Sequence, residues 1–440
     1  TLSYRQEARD VREQKHVAAL TTLRGSTLQT ETDFPEKILS QGTSNVSITI
    51  KNTGTDPIHA IFLPLQIDQE LRLEAQKTSL GTLDREAWRI EALGPNESAT
   101  LDAALIAGIN TGTREKTVEI APRIQIDDRV FAQQPDVHVL VIEHPEISLS
   151  ATWEDEATAL APGDTKTLHI RLTNTSNTHF ENISVSIPVD SSVIDIARLR
   201  QLNQGIYSEG RWRTTHNYAA NLAALAPGQS TNLDVRIPIR SYPQGGVDLR
   251  LSLPTQIGAS VSGVDGATYE ASAESPTIRI GSNIFLGAEA RYYTNEGDQL
   301  GRGPLPPQVG KETKYWAMFT ISNGTSRATD LQFSAKLAPH VEWTGRSSVS
   351  HGKNVSFNPS TRTVSWSHNT LAPQEQAGIY FELALTPSAS QIGAHPTLVQ
   401  NIALSAYDTY TENQIQTSAG AIDTSIPNDS VGRQKGTAVR

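Results

Sequence analysis

Apolar and polar positions alternate in short runs along this chain, and one such run recurs three times. The copies are Val46-Ser-Ile-Thr-Ile-Lys-Asn52-Thr-Gly54, Leu168-His-Ile-Arg-Leu-Thr-Asn174-Thr-Ser176 and Ala317-Met-Phe-Thr-Ile-Ser-Asn323-Gly-Thr325. A period of two places Val46/Ile48/Ile50, Leu168/Ile170/Leu172 and Ala317/Phe319/Ile321 on one face of a strand. Each run stops at an Asn followed by small turn-formers, residues that tolerate the left-handed backbone of a reversal. A strand-and-turn phrase repeated at domain-sized intervals marks a tandem array.

The order of elements around the phrase repeats as well. A strand precedes it (Leu28 to Phe34, Ile147 to Trp153, Ile284 to Tyr293). A second apolar strand follows and ends near a Pro: Ile58 to Pro64, Ile183 to Pro188, Leu331 to Pro339. Then comes Leu93-Gly-Pro95-Asn-Glu-Ser98, Leu225-Ala-Pro227-Gly-Gln-Ser230 or Leu371-Ala-Pro373-Gln-Glu-Gln376, leading into Leu101 to Ile106, Leu233 to Ile239 or Ile379 to Leu385. Pro presets a turn and cannot join a central ladder, so it marks a strand end. Trp88 and Trp366 stand at the same offset before Pro95 and Pro373, whereas the second copy has Trp212 further upstream and Tyr218 nearer. A Trp so placed reads as a buried pin between sheets, with ligand stacking as the competing reading.

About seven short strands per copy, separated by Pro, Gly and Asn turns, predict an immunoglobulin-like sandwich. The expected fold is all-β: three tandem immunoglobulin-like β-sandwiches at residues 25–145, 146–282 and 283–426. A short helix is expected over residues 1–24, where Tyr4, Ala8, Val11 and Ala18 fall at helical spacing. The polar residues 427–440 are expected to form a flexible tail. The second copy carries an irregular insertion, Ser191 to Asn217, in which Ile194, Ala197, Leu199 and Leu202 fit one or two helical turns.

Composition narrows the function. Lys and Arg total 37 against 47 Asp and Glu, a net charge of −10 with no basic run, which argues against nucleic acid. The chain has no Cys, so disulfides, thiolate nucleophiles and Cys-ligated zinc are excluded. No apolar stretch reaches the roughly 20 residues of a bilayer span, so membrane association is expected only through an anchor outside this sequence. The chain starts at Thr1, which reads as the loss of a leader, anchor or preceding region.

The chain carries few motifs that imply chemistry. There is no phosphate-binding Gly loop, no Gly-x-Ser-x-Gly elbow and no His-Glu-x-x-His. The carboxylates Glu154-Asp-Glu156 and Asp127-Asp128 are sequence neighbours and read as solvated turns. Asn295-Glu-Gly-Asp298 has too few acidic ligands for a calcium site. No catalytic, cofactor or metal residues are assigned, and no enzyme activity is expected. Trp316 and Met318 are different: alternation places them on the outward face of the third strand. They form a protein-contact patch, or a neighbouring loop covers them, or a bulge reverses the facing.

Strand-Asn-Thr-Gly, a strand ending in Leu-Pro or Ile-Pro, Trp before Leu-Ala-Pro-Gly-Gln-Ser and a final strand together resemble a family of bacterial surface repeats. These are the conserved-repeat domains of unknown function, relatives of CARDB-type adhesion modules. The resemblance covers most of residues 25–426. This chain departs from the pattern at Asn96 and Gln374, which replace Gly after Pro, and in the missing close Trp of the second copy. The resemblance implies Ig-like modules in extracellular proteins and carries no catalytic residues. The expectation is therefore a structural ectodomain: a stalk, an adhesin, or a surface-layer or filament subunit. It would meet protein partners or further copies of itself through exposed sheet faces and edges. Two alternatives stand beside it. One is a carbohydrate-binding accessory region using exposed Trp343 with Trp366 or Trp212. The other is an assembly factor that captures a partner strand.

Overall fold

The structure, a computed structural model, describes residues 2–4, 13–15, 27–67, 69–109 and 114–440. It is an all-β protein of mostly antiparallel sheets packed as sandwiches. The chain divides into two compact units. The first holds residues 1–146 with the loops 176–179 and 261–267; the second holds 147–175, 180–260 and 268–440.

In the first unit a four-stranded sheet runs Leu28–Asp33, Thr43–Asn52, Ser98–Ala107, Leu71–Thr78. Its inner face shares one core with Ile61, Leu63 and Trp88 of a five-stranded sheet and with Ile38, Val118 and Ile142 of a three-stranded one. The second unit contains two further sandwiches. One pairs the sheet Ile147–Trp153, Thr165–Asn174, Ser230–Pro238 with a larger sheet centred on Phe180–Pro188 and Pro254–Val261. The other packs the sheet Ile284–Arg291, Thr313–Asn323, Gln376–Leu385, Val341–Val349 against one centred on Ala328–Leu337 and Thr397–Asp408. The insertion of the second copy forms the helix Ile196–Leu202, capped by the Asp195 side chain and anchored by fully buried Leu199.

The alternating positions point as the period of two requires. Val46, Ile48 and Ile50, Leu168, Ile170 and Leu172, and Ala317, Phe319 and Ile321 are all buried. Trp88 and Trp366 are core residues whose indole N–H groups donate to the Leu80 and His351 carbonyls at 2.9 and 3.1 Å. Register repeats as faithfully as sequence. Leu28, Ile147 and Ile284 sit opposite Asn52, Asn174 and Asn323. Ser98, Ser230 and Gln376 sit opposite the residue just before each of those Asn.

The repeated Asn does a different job from the one its residue type predicts. None of Asn52, Asn174 and Asn323 has a positive φ. Each is buried, and its Nδ2 donates to the carbonyl of the Leu that opens the Pro phrase: Leu93 at 2.9 Å, Leu225 at 3.0 Å, Leu371 at 3.1 Å. The left-handed residue is instead the one after Pro, with φ of 60° at Asn96, 73° at Gly228 and 62° at Gln374. The departures from Gly at Asn96 and Gln374 thus keep the same backbone, since amide side chains tolerate that region. The next residue closes the turn: Glu97, Gln229 and Glu375 accept from the N–H of Gly94, Ala226 and Ala372. The two repeated phrases are therefore the halves of one clamp between the sheets.

Two terminal expectations change. The helix expected over residues 1–24 lies outside the described residues except at Leu2–Tyr4 and Glu13–Lys15. Those segments pair as antiparallel strands rather than helical turns. The tail 427–440 is docked rather than flexible. Asp429, 1% exposed, caps the helix Ser430–Lys435 and also accepts from the Tyr292 and Tyr293 N–H groups at 2.8 and 2.7 Å. Ile426 and Val439 are buried, and the backbone of Arg440 bonds to Pro307 and Val309. Polar composition concealed these few anchors, because backbone bonds to loops carry most of the docking.

Candidate functional site

Within the second unit, one buried carboxylate ties together the segments where its two sandwiches meet. Asp408 ends the strand Thr397–Asp408 and is 1% exposed. It accepts from the Ser282 N–H at 2.8 Å, from the Ser326 hydroxyl at 2.8 Å, from the Tyr410 N–H at 2.9 Å and from the Thr411 hydroxyl at 2.9 Å. Ser282 belongs to the linker between the sandwiches, and its hydroxyl donates to Asn323 Oδ1 at 3.1 Å. The clamp Asn of the third copy is thereby part of the joint. Gly281 packs closely on this centre: a Cβ there would stand 3.1 Å from Asp408 Oδ2 and 3.2 Å from Thr411 Oγ1. Around this centre Arg279 donates to the Tyr410 carbonyl at 2.7 Å and lies 5.8 Å from its ring centroid. Arg250 donates to the Tyr410 hydroxyl, and the Asp248 N–H donates to the Thr325 carbonyl at 2.9 Å. A buried carboxylate that accepts four hydrogen bonds opposes bending at the linker, because bending would strand donors away from water.

Trp316 and Met318 lie half-buried on the outer face of the four-stranded sheet. The strand Thr313–Asn323 pairs without a register shift on both sides, so no bulge reverses its facing. Trp316 sits between Arg291 and Glu382, and Met318 between Glu289 and Tyr380. Tyr380 lies over Gly378, where a Cβ would fall 2.2 Å from the phenol oxygen. Charge frames the patch: Arg291 pairs with Glu289 at 2.7 Å, and Arg346 approaches the nearly buried Glu382 at 3.9 Å. The Pro-rich lead-in is bonded at Tyr292, Thr313 and Lys314. Trp316, Met318 and Tyr380 thus share the outer face with a rim of charged side chains.

Other candidates take structural roles. Asn295 Oδ1 accepts from Arg291, and Thr294 to Asp298 close a turn. His138 stacks on Phe34 at 5.3 Å and pairs with Asp136 and Thr32. Trp366 and Trp212 are 3% and 2% exposed, and Trp343 stacks on Phe357 and meets the tilted Phe381 ring. A row of exposed rings for a polysaccharide is therefore not built from these three. The Asp408 joint escaped sequence reasoning: Asp408-Thr-Tyr-Thr411 reads as a polar turn, and the partners that make it a joint, Ser282 and Ser326, lie 126 and 82 residues away.

No protein-family model and no curated protein matches the chain. Among solved structures, the C-terminal domain of the Streptococcus pyogenes antigen I/II-family protein AspA is 10% identical, with a TM-score of 0.27 over 64% of this chain and 99% of that one. The C-terminal domain of the Streptococcus agalactiae antigen I/II polypeptide BspA is 7% identical, with a TM-score of 0.25 over 63% and 100%. A protein from Corynebacterium diphtheriae described as membrane-anchored is 8% identical, with a TM-score of 0.20 over 90% and 91%. At such identities and scores these likenesses carry no argument about family or function.

Proposed function

We propose that this chain is a non-catalytic structural ectodomain of a bacterial cell-surface protein, a rigid spacer and contact surface. Its modules span residues 25–145, 146–282 and 283–426. The observation that carries this reading is the Asp408 joint, which bonds the second and third modules to each other. The surface location rests on the resemblance of the repeated phrases, and their threefold clamp gives the array its regular build. Trp316 and Met318, with Tyr380, serve as a face for another protein or another copy. The edge strands Thr268–Glu274 and Asn413–Ala419 are lined by exposed polar and charged side chains, which oppose indiscriminate strand pairing.

The absence of cysteine makes the test direct. Spin labels on Ser272→Cys and Gln416→Cys, both exposed, report the spread of distances across the joint. A rigid spacer gives one narrow distribution; a broad distribution rejects the reading. For the contact face, sedimentation of the full chain against Trp316→Ser is the measurement. Self-association weakened by the substitution supports the patch, and unaltered association discards it.

A further inference from the structure

The three clamp asparagines differ in the residue that follows them. Asn52 and Asn174 precede Thr53 and Thr175, whereas Asn323 precedes Gly324 in the one Asn-Gly pair of the sequence. The joint requires this glycine. A Cβ at residue 324 would stand 2.7 Å from the Asn283 carbonyl oxygen and 2.8 Å from Ser282 Oγ. The first of these atoms is linker backbone and cannot swing aside, so only a residue without a side chain fits. The linker leaves no room for the threonine that the other two copies use.

Asparagine is a thermally labile residue, and Gly after it makes it most so. With no side chain to hinder it, the Gly nitrogen reaches the Asn Cγ; a β-branched Thr crowds the same approach. Hydroxide takes the Gly324 amide proton, and the nitrogen attacks Cγ. An N–Cγ bond closes a succinimide ring, and the Cγ–Nδ2 bond breaks. Nδ2 leaves as ammonia, taking a proton from water and regenerating the hydroxide. Water then opens one of the two ring C–N bonds, giving an aspartyl or an isoaspartyl residue.

The closed joint holds this reaction off. Asn323 is 5% exposed. Its Nδ2 donates to the carbonyls of Ser326, Leu371 and Ala372 at 2.8, 3.1 and 2.9 Å. Its Oδ1 accepts from the Ser282 hydroxyl at 3.1 Å and from the Gly324 N–H at 3.0 Å. That last bond aims the N–H at the oxygen instead of aiming the nitrogen's π electrons at Cγ, and the others fix the side chain in place. Attack therefore waits for the joint to open, and its rate scales with the fraction of chains that are open. The product does not reclose. A carboxylate has no N–H to give, so it would set oxygen against the three carbonyls that Nδ2 served. An isoaspartyl residue also lengthens the backbone by a methylene at the end of the strand.

We propose that Asn323-Gly324 is a self-modification site guarded by the joint: opening exposes it, and its conversion keeps the joint open. This adds a one-way release to the spacer reading and rests on the same joint.

The test incubates the full chain at mildly alkaline pH. Peptide mapping reads the conversion of amide to acid by mass, and an isoaspartyl methyltransferase detects the rearranged product. The chain unfolded in urea gives the unguarded rate. Asp408→Ala should convert Asn323 up to about a hundredfold faster than wild type, as loss of the buried acceptor implies. Ser282→Ala, which removes one hydroxyl donor, should convert it about fivefold faster. Asn52 and Asn174 are controls in the same digest and should remain amides. Labels at Ser272→Cys and Gln416→Cys should give a broad distance distribution in converted chains and a narrow one in unconverted chains. No conversion in urea, conversion of the folded wild type as fast as in urea, rates unchanged by both substitutions, or a narrow distribution after conversion each overturns the proposal. A distribution already broad in the unconverted wild type rejects the spacer reading instead, and the rates alone then decide whether the site is guarded.

Discussion

Replacing Asp408 by Ala removes the acceptor for four donors at once. The hydroxyls of Ser326 and Thr411 can turn to other partners, but the N–H groups of Ser282 and Tyr410 are fixed by the backbone. Ser282 is 3% exposed, so its orphaned N–H bears close to the full desolvation penalty, and the half-buried Tyr410 bears less. Together these give about 3 kcal/mol of local destabilisation at the joint. At 1.4 kcal/mol per decade, that is roughly a hundredfold faster amide exchange in the segments around Ser282 and Tyr410. Because a chain of several sandwiches need not unfold in one step, exchange resolved by segment is a better assay than a single melting curve. The same substitution should broaden the distance distribution between labels at Ser272→Cys and Gln416→Cys. Exchange within about threefold of wild type, with an unchanged narrow distribution, would show that apolar contacts hold the joint and that the carboxylate is incidental.

Further expectations follow from the clamp, the tail and the titrating groups. Asn52→Ala, Asn174→Ala and Asn323→Ala should each cost about 2–4 kcal/mol in urea unfolding. Asn323→Ala should cost most, since its Nδ2 serves three carbonyls and its Oδ1 accepts from Ser282; equal small losses at all three would refute the clamp. Asp429→Ala should undock the tail, read as proteolytic cleavage between Asn428 and Arg440 that the wild type resists. The Ala372 N–H, foremost, holds the Glu375 carboxyl below its ordinary 4.5; burial opposes this, and the His351 ring adds to the lowering. Its stabilisation is therefore complete above pH 4.5 and is lost as pH falls through the depressed value. Glu375→Gln, which imitates Gln229 in the second copy, should flatten that acid limb of the urea midpoint; an unaltered limb would assign it to other carboxylates.

Strand positions and facing were legible because a period of two is written directly into the sequence and the core enforces it. Val46 to Ile50 and Ala317 to Ile321 have no other way to bury their side chains together. The partners of the recurring Asn were not legible in the same way. Asn52 reaches Leu93 across 41 residues, Asn174 reaches Leu225 across 51, and Asn323 reaches Leu371 across 48. A spacing that varies this much hides a contact from any local reading. The only trace is that both phrases recur together in fixed order.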